Sequence, residues 1–157
     1  MIPDIVFRPG TPDDIPEMQQ LFSDTILSVG RRDYTEAQCK AWASGIRNKK
    51  RWKEIPATSY ISIAVYRKKI VGFCTLQNNN HIDLLFVHRD FQRMGIARVL
   101  YGFTENEARK NQASEITANV SKTARPFFEQ QGFRVVSAQT VELHGIELRN
   151  FRMKKTL

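Results

Sequence analysis

Apolar residues fall at Ile15, Met18, Phe22, Ile26 and Val29, steps of three and four that lay one apolar face along a helix. Thr11-Pro12-Asp13-Asp14 reads as its start. The threonine oxygen accepts from an unpaired amide, proline suits the first helical position, and the acids favour the positive end of the helix. Gly30 is expected to close this helix, and Ile5-Val6-Phe7 before it reads as a short strand. A second helix is expected from about Thr35 to Ile46, with Trp42 on it. The stretch from Asn48 to Thr58 is basic, contains Pro56 and reads as a loop. It is not a domain boundary, because the piece before it is too small to fold alone.

The period then changes. Ile61, Ile63 and Val65 alternate with Ser62, Ala64 and Tyr66, the pattern of a half-buried strand. Arg67-Lys68-Lys69 turns into Ile70–Leu76, Asn78-Asn79-Asn80 turns again, and His81–Val87 completes an antiparallel meander. After Gly95, Ile96, Val99, Leu100 and Phe103 return to helical spacing as far as about Asn111. Ile116–Val120 reads as a strand, and Ala124–Gln131 as a short helix stopped by Gly132. Two last strands turn at His144-Gly145. The order β-α-α-β-β-β-α-β-α-β-β joins one strand–helix–strand crossover to antiparallel strands. That implies an α/β (α+β) fold with a mixed, mainly antiparallel sheet and helices on its faces.

Composition narrows the class. At 157 residues, 41% hydrophobic and 25% charged, the chain has the make-up of one globular domain over 1–157, not of a disordered or disulfide-stapled one. The net charge of +8 is uneven. Residues 1–38 carry three basic and seven acidic side chains, and residues 39–157 carry 21 and nine. An electrostatic partner is therefore anionic and meets the later part of the chain. Two cysteines, Cys39 and Cys74, imply no disulfide framework. Met1-Ile2-Pro3-Asp4 does not open a signal peptide, and no run approaches the roughly 18 apolar residues of a membrane span. A cytoplasmic, reduced location with no membrane partner is expected. His81, His88 and His144 have no metal-binding spacing, so no metal is expected.

The segment richest in chemistry is Leu85–Ala97, a strand leading through a polar loop into a helix. Backbone N–H groups at such a junction lack intrahelical partners, and the helix dipole adds positive charge. Gly95 lets a ligand approach the backbone, and Arg93 and Arg98 add side-chain charge. The place suits a phosphate or pyrophosphate, although it lacks the Lys-Ser/Thr pair of a P-loop. Asp83 is a second candidate, since an acid within Ile82–Val87 is costly to bury without a partner. Alternation is expected to put Asp83 on the face of Leu85.

Gln92-Arg93-Met94-Gly95-Ile96-Ala97 resembles the phosphate loop of the GNAT superfamily of acyl-CoA-dependent N-acetyltransferases. Ala124–Phe133 resembles that family's second motif, and a helix and a strand separate the two as the family requires. Within the family the likeness is to a bacterial branch with segments matching Tyr34–Trp42 and Asn150–Met153. The resemblance implies a sheet of six to seven strands with about four helices. It also implies acetyl-CoA as cofactor and direct acetyl transfer to a primary amine of a small molecule or protein.

Residue by residue, the resemblance implies that the backbone of Gln92, Arg93, Met94, Gly95, Ile96 and Ala97, with Arg98 beside it, holds the pyrophosphate. Leu85, Phe86 and Val87 would pair with the pantetheine arm, one amide polarising the thioester carbonyl. Asp83 would serve as base or amine anchor. Phe128 lies on the cofactor side, where many relatives carry a tyrosine acid, and it has no proton to give. Ser121, on the same side, is then the candidate to hold a water for the leaving group, with Tyr34 or Tyr101 as other hydroxyls. A thiol of pKa about 8.5 already leaves readily. Tyr34, Trp42, His81 and Asn150 are the candidate contacts to the acceptor, and for Trp42 an ordinary core position is the competing assignment. The family often forms homodimers. Two other readings are a non-catalytic acyl-CoA-binding or regulatory module, motivated by Phe128, and a nucleic-acid-binding domain, motivated by the charge. No DNA- or RNA-binding motif supports the latter.

Overall fold

The structure, a computed structural model, describes residues 4–157. Met1, Ile2 and Pro3, on which the expectation of no leader rests, lie outside the described residues. The chain runs β1 (Ile5–Pro9), α1 (Ile15–Ser28), α2 (Glu36–Ala43), α3 (Lys49–Thr58), β2 (Ser59–Tyr66), β3 (Lys69–Gln77), β4 (His81–Val87), α4 (Ile96–Lys110), β5 (Glu115–Ser121), α5 (Arg125–Gln130), β6 (Arg134–Leu143) and β7 (Ile146–Thr156). The strands form one sheet in the order β1-β2-β3-β4-β5-β7-β6. Every neighbouring pair is antiparallel except β4 and β5.

The expected strands and turns are present. Thr11 and Asp14 form a capping box, although a 3-10 turn over Pro12–Asp14 precedes the α-helix proper. His144 and Gly145, both at positive φ, make the last turn, and Gly132 at φ +94° follows α5. Three expectations are corrected. Asn48–Thr58 is not a loop, for all but its first residue is α3. The Asn48 side chain accepts from the Arg51 amide at 3.2 Å, and Trp52 and Ile55, three residues apart, are buried in the core. Pro56 falls in the last turn, where it removes one bond and leaves the body of the helix intact. Gly30 is not a left-handed stop: α1 ends at Ser28 and runs into a 3-10 turn over Val29–Arg32. The second helix likewise ends early, at Ala43, and continues as a 3-10 turn over Ser44–Arg47.

The two faces of the sheet carry separate cores. Met18, Phe22 and Ile26 of α1 and Trp52 and Ile55 of α3 pack with Ile63, Phe73 and Leu84 on one side. Leu100, Tyr101 and Ala108 of α4 pack with Val71, Ile116, Phe133 and Met153 on the other. β3 is buried from Ile70 to Leu76 because both layers cover it. Gly72 sets the height of α4, since a Cβ there would stand 3.1 Å from Ile96 and 3.2 Å from Leu100. The first turn of α4 therefore lies close against the strands leading to the phosphate-binding candidates. No helix of the described residues is long and apolar enough to cross a membrane, and both cysteines are buried free thiols.

The far end of α4 is tied to β7 by Glu105. Its Oε1 accepts from Tyr101 Oη at 2.7 Å and Lys155 Nζ at 2.6 Å, and its Oε2 accepts from Arg109 at 3.0 Å. Burial alone would raise the Glu105 pKa, but these donors outweigh it and bring the group down to about 2. A depressed carboxylate pKa stabilises the fold above the unfolded value and loses that contribution as pH falls toward the folded one. Glu105→Gln is expected to cost about 1–3 kcal/mol at pH 7. In urea unfolding, the gap between wild type and variant should narrow from about pH 4.5 toward pH 2.

Candidate active site

β4 and β5 begin side by side and then part. Their parallel pairing covers only His81↔Thr117 and Ile82↔Ala118. Beyond that, β4 is bonded to β3 alone. The His88 amide donates to Val71 at 2.8 Å, so alternation turns the backbone groups of Leu85 and Val87 toward the gap. The opening leads to two cavities of about 270 Å³ and 520 Å³ that meet at Trp42, Leu85, Phe86, Ser121 and Ala124.

The larger cavity runs from that junction to the start of α4. It is bordered by Gln92, Arg93, Gly95, Ile96, Ala97 and Arg98. Gly95 caps the helix at φ 82°, a conformation that needs no side chain, and Arg93 at φ 60° bends the loop before it. Ile96, Ala97 and Arg98 occupy the first turn, whose N–H groups have no intrahelical acceptor. Arg93 and Arg98 are the charged residues on this border, and no acid accompanies them. Gln92 donates its side-chain amide to the Val87 carbonyl, tying the loop to the free edge of β4. Two buried hydroxyls without partners, those of Thr25 and Thr123, belong to residues on the same border. A slot with free donors along one strand edge and a positive helix start at its end fits an extended ligand with a phosphorylated tail.

The smaller cavity gathers Tyr34, Trp42, His81, Asp83, Ser121 and Asn150. Phe128 borders this cavity and not the larger one, its ring packed edge-on to Phe127 and Phe133. Met94 borders neither cavity and packs its side chain against the α4 core. Tyr101 also borders neither, its hydroxyl being given to Glu105.

Asp83 does not share the face of Leu85 as alternation alone would have it. The β3–β4 register shifts at this point, Thr75 pairing with Leu84 and Leu76 with Ile82, which leaves Asp83 as the extra residue of a bulge. Ile82 and Leu85 join the α4 core, whereas Leu84 joins the α1 core. Asp83 points to the α1 side, where Arg51 of α3 donates to its Oδ1 at 3.1 Å. The Thr75 hydroxyl accepts from the Leu84 amide at 3.1 Å and so satisfies the donor freed by the bulge. Sequence reading missed Arg51 because α3 had been read as a loop, and missed Thr75 because an isolated strand threonine signals no bulge.

His81 keeps the α1 face and its Nδ1 lies 2.8 Å from Thr117 Oγ1. Burial pushes its pKa below the ordinary imidazole value, Asp83 pulls it back up, and Arg152 lowers it further. The ring is therefore neutral at neutral pH. Ser121 Oγ accepts from the Ala124 amide at 3.1 Å, and its own proton has no acceptor among the described residues. Tyr34 Oη donates to the Arg149 carbonyl at 2.6 Å and accepts from the Lys122 amide at 3.0 Å. Burial raises its pKa, and the Lys122 amide opposes that rise. Trp42 lies edge-on to Tyr34 at 5.5 Å, borders both cavities and packs partly buried against the α1 core, whereas Trp52 is fully buried in it.

A family profile described as "Acetyltransferase (GNAT) domain" matches residues 31–157. The Escherichia coli (strain K12) protein named "Uncharacterized N-acetyltransferase YafP" is 33% identical over 150 residues, covering 96% of this chain and 95% of that protein. The crystal structure of a GCN5-related N-acetyltransferase from Rhodopseudomonas palustris superposes with a TM-score of 0.92 at 29% identity, over 100% of this chain and 98% of that one. The PaiA N-acetyltransferase of Thermoplasma acidophilum, in complex with coenzyme A, shares the fold with a TM-score of 0.78 at 17% identity, over 98% and 99% of the two chains. The chain belongs to the GNAT family of N-acetyltransferases.

Tyr34 ties the turn after α1 to both β7 and the β5–α5 loop. Tyr34→Phe removes two part-buried hydrogen bonds, to the Arg149 carbonyl and from the Lys122 amide, and is expected to lower stability by about 1–2 kcal/mol, read from urea unfolding.

Proposed function

We propose that residues 1–157 form one N-acetyltransferase domain that transfers the acetyl group of acetyl-CoA directly to a primary amine. The observation that carries this reading is the parted β4–β5 pair, whose free edge runs toward the unpaired amides at the start of α4. The larger cavity holds the cofactor and the smaller one the acceptor, with the reaction at their junction. Acetyl-CoA supplies the activated acetyl group, a C–N bond forming as the C–S bond breaks.

The amides of Gly95, Ile96, Ala97 and Arg98 hold the pyrophosphate with help from the Arg93 and Arg98 side chains. Leu85 and Val87 offer backbone groups to the pantetheine arm, and one of these amides stabilises charge growing on the carbonyl oxygen. The acceptor must lose a proton before it can attack. His81, neutral and at the acceptor cavity but four residues before Leu85 on β4, takes that proton through a chain of waters in the cavity. Asp83, held by Arg51, supports His81 electrostatically and shapes the acceptor end. Ser121 is the hydroxyl with a proton to offer the departing sulfur, directly or through water. It stands in for the hydroxyl that Phe128 lacks. Tyr34 has committed its proton to Arg149, and Tyr101 is out of reach.

Isothermal titration should show binding of acetyl-CoA and none of NADH or ATP. Gly95→Glu introduces strain and a negative charge at the phosphates, and should weaken that binding about a hundredfold, ~3 kcal/mol. Unchanged affinity would remove the phosphate-loop assignment. His81→Gln should lower kcat by about 10²-fold with cofactor affinity intact. Because burial depresses the His81 pKa, the acid limb of kcat/KM should lie below about pH 6.5 and disappear in the variant. Asp83→Asn should also reduce turnover and spare cofactor binding. Acetyl-CoA binding without thiol release across a panel of amines would identify a binding module instead of an enzyme.

A further inference from the structure

The acceptor cavity has an uneven chemistry that narrows its ligand. Much of its lining is apolar: Tyr34, Trp42 and Phe86, with Val141, Leu143 and Leu148 from the last hairpin. Among the described residues on its border, Asp83 is the one acid and Arg51 and Arg149 are the basic residues. The Asp83 carboxylate is already engaged by Arg51. Arg152, just outside, adds positive potential at His81. A ligand with a second ammonium group would find no unclaimed carboxylate here.

Arg51 has donors to spare. One guanidinium nitrogen reaches Asp83, and the side chain is 37% exposed at the cavity mouth. A guanidinium presents five N–H donors in a planar fork suited to a carboxylate. Asp83 lies two residues before Leu85 on β4, so its ion pair with Arg51 stands along the cavity from the junction where the amine must meet the carbonyl.

Resting on the transferase reading above, we infer that the acceptor is a small amino-carboxylate. It has an apolar or aromatic body that separates its amine from a single carboxylate, which docks on Arg51 beside Asp83. The body lies between Trp42 and the hairpin, and the amine points to the Leu85–Ser121 junction. Polyamines and lysine-rich peptides are disfavoured by the same positive field.

Three ligands of one shape test this: 4-(aminomethyl)benzoate, benzylamine and para-xylylenediamine. Binding is measured calorimetrically to the full-length protein, alone and saturated with CoA, and thiol release is measured separately with acetyl-CoA. The carboxylate compound should bind about tenfold tighter than benzylamine, and the diamine should bind most weakly. Arg51→Gln should erase the preference for the carboxylate and improve the diamine, because Asp83 is then free to accept its second ammonium. Arg51→Lys, which keeps the charge and loses the fork, should retain part of the preference. Thermal melts establish that both variants are folded. Equal or tighter binding of the diamine to wild type overturns the inference. So does no binding by any of the three, or a preference unmoved by Arg51→Gln. Preferred turnover of polyamines or lysine peptides overturns it and leaves the transferase reading standing. The expected order of binding without any thiol release retires the transferase reading and leaves the anionic-amine site.

Discussion

Two strands that are parallel neighbours for only two residue pairs determine what this molecule is able to do. Backbone N–H and C=O groups inside a sheet need partners, and a strand edge left open in the middle of a sheet leaves them exposed to whatever enters. Here β4 is pinned to β3 along its length while β5 turns away to pair with β7. The sheet is continuous at one end and split at the other. Both cavities, the junction between them and the route to the start of α4 follow from that split.

Several local features keep the split in place. The bulge at Asp83 changes the phase of β4, sending Leu85 and Val87 toward the α4 core and Phe86 toward α1 and Trp42. Thr75 satisfies the amide that the bulge would otherwise strand, and Arg51 holds the carboxylate that the bulge turns outward. Gln92 anchors the loop before α4 to Val87, so the start of α4 and the free edge of β4 are joined through one side chain. On the other flank, Tyr34 ties the first helices to β7 and to the β5–α5 loop. The site is thus built between two layers whose cores are separate, and its polar contacts are the links across the gap.

Electrostatics divides the two cavities in a related way. The larger has arginines and no acid among the described residues on its border. The smaller holds one acid that is already paired, beside a histidine that burial keeps uncharged. The fold supplies no tyrosine hydroxyl at Phe128, and Ser121 is the hydroxyl at the junction with its proton free.

Periodicity alone located the strands, the amphipathic helices α1 and α4, the turn at His144-Gly145 and the stop at Gly132, because each depends on interactions a few residues apart. The strand–loop–helix junction at Gly95 was equally legible, since a glycine in the left-handed region before a helix is a local requirement. The third helix was hidden by Pro56 and a basic exterior, and only burial of Trp52 and Ile55 against α1 and the sheet decides it. The direction of Asp83 could not be read either: a bulge belongs to a pair of strands, and nothing within His81–Val87 marks the residue that will go unpaired. Likewise, the separation of Tyr34 from Tyr101, one at the cavity and one beside Glu105, is a fact of packing. Local spacing determined the elements and the loop that leads into α4. Tertiary contact alone decided which polar side chains face one another, because those contacts join residues as distant as Arg51 and Asp83 or Tyr34 and Arg149.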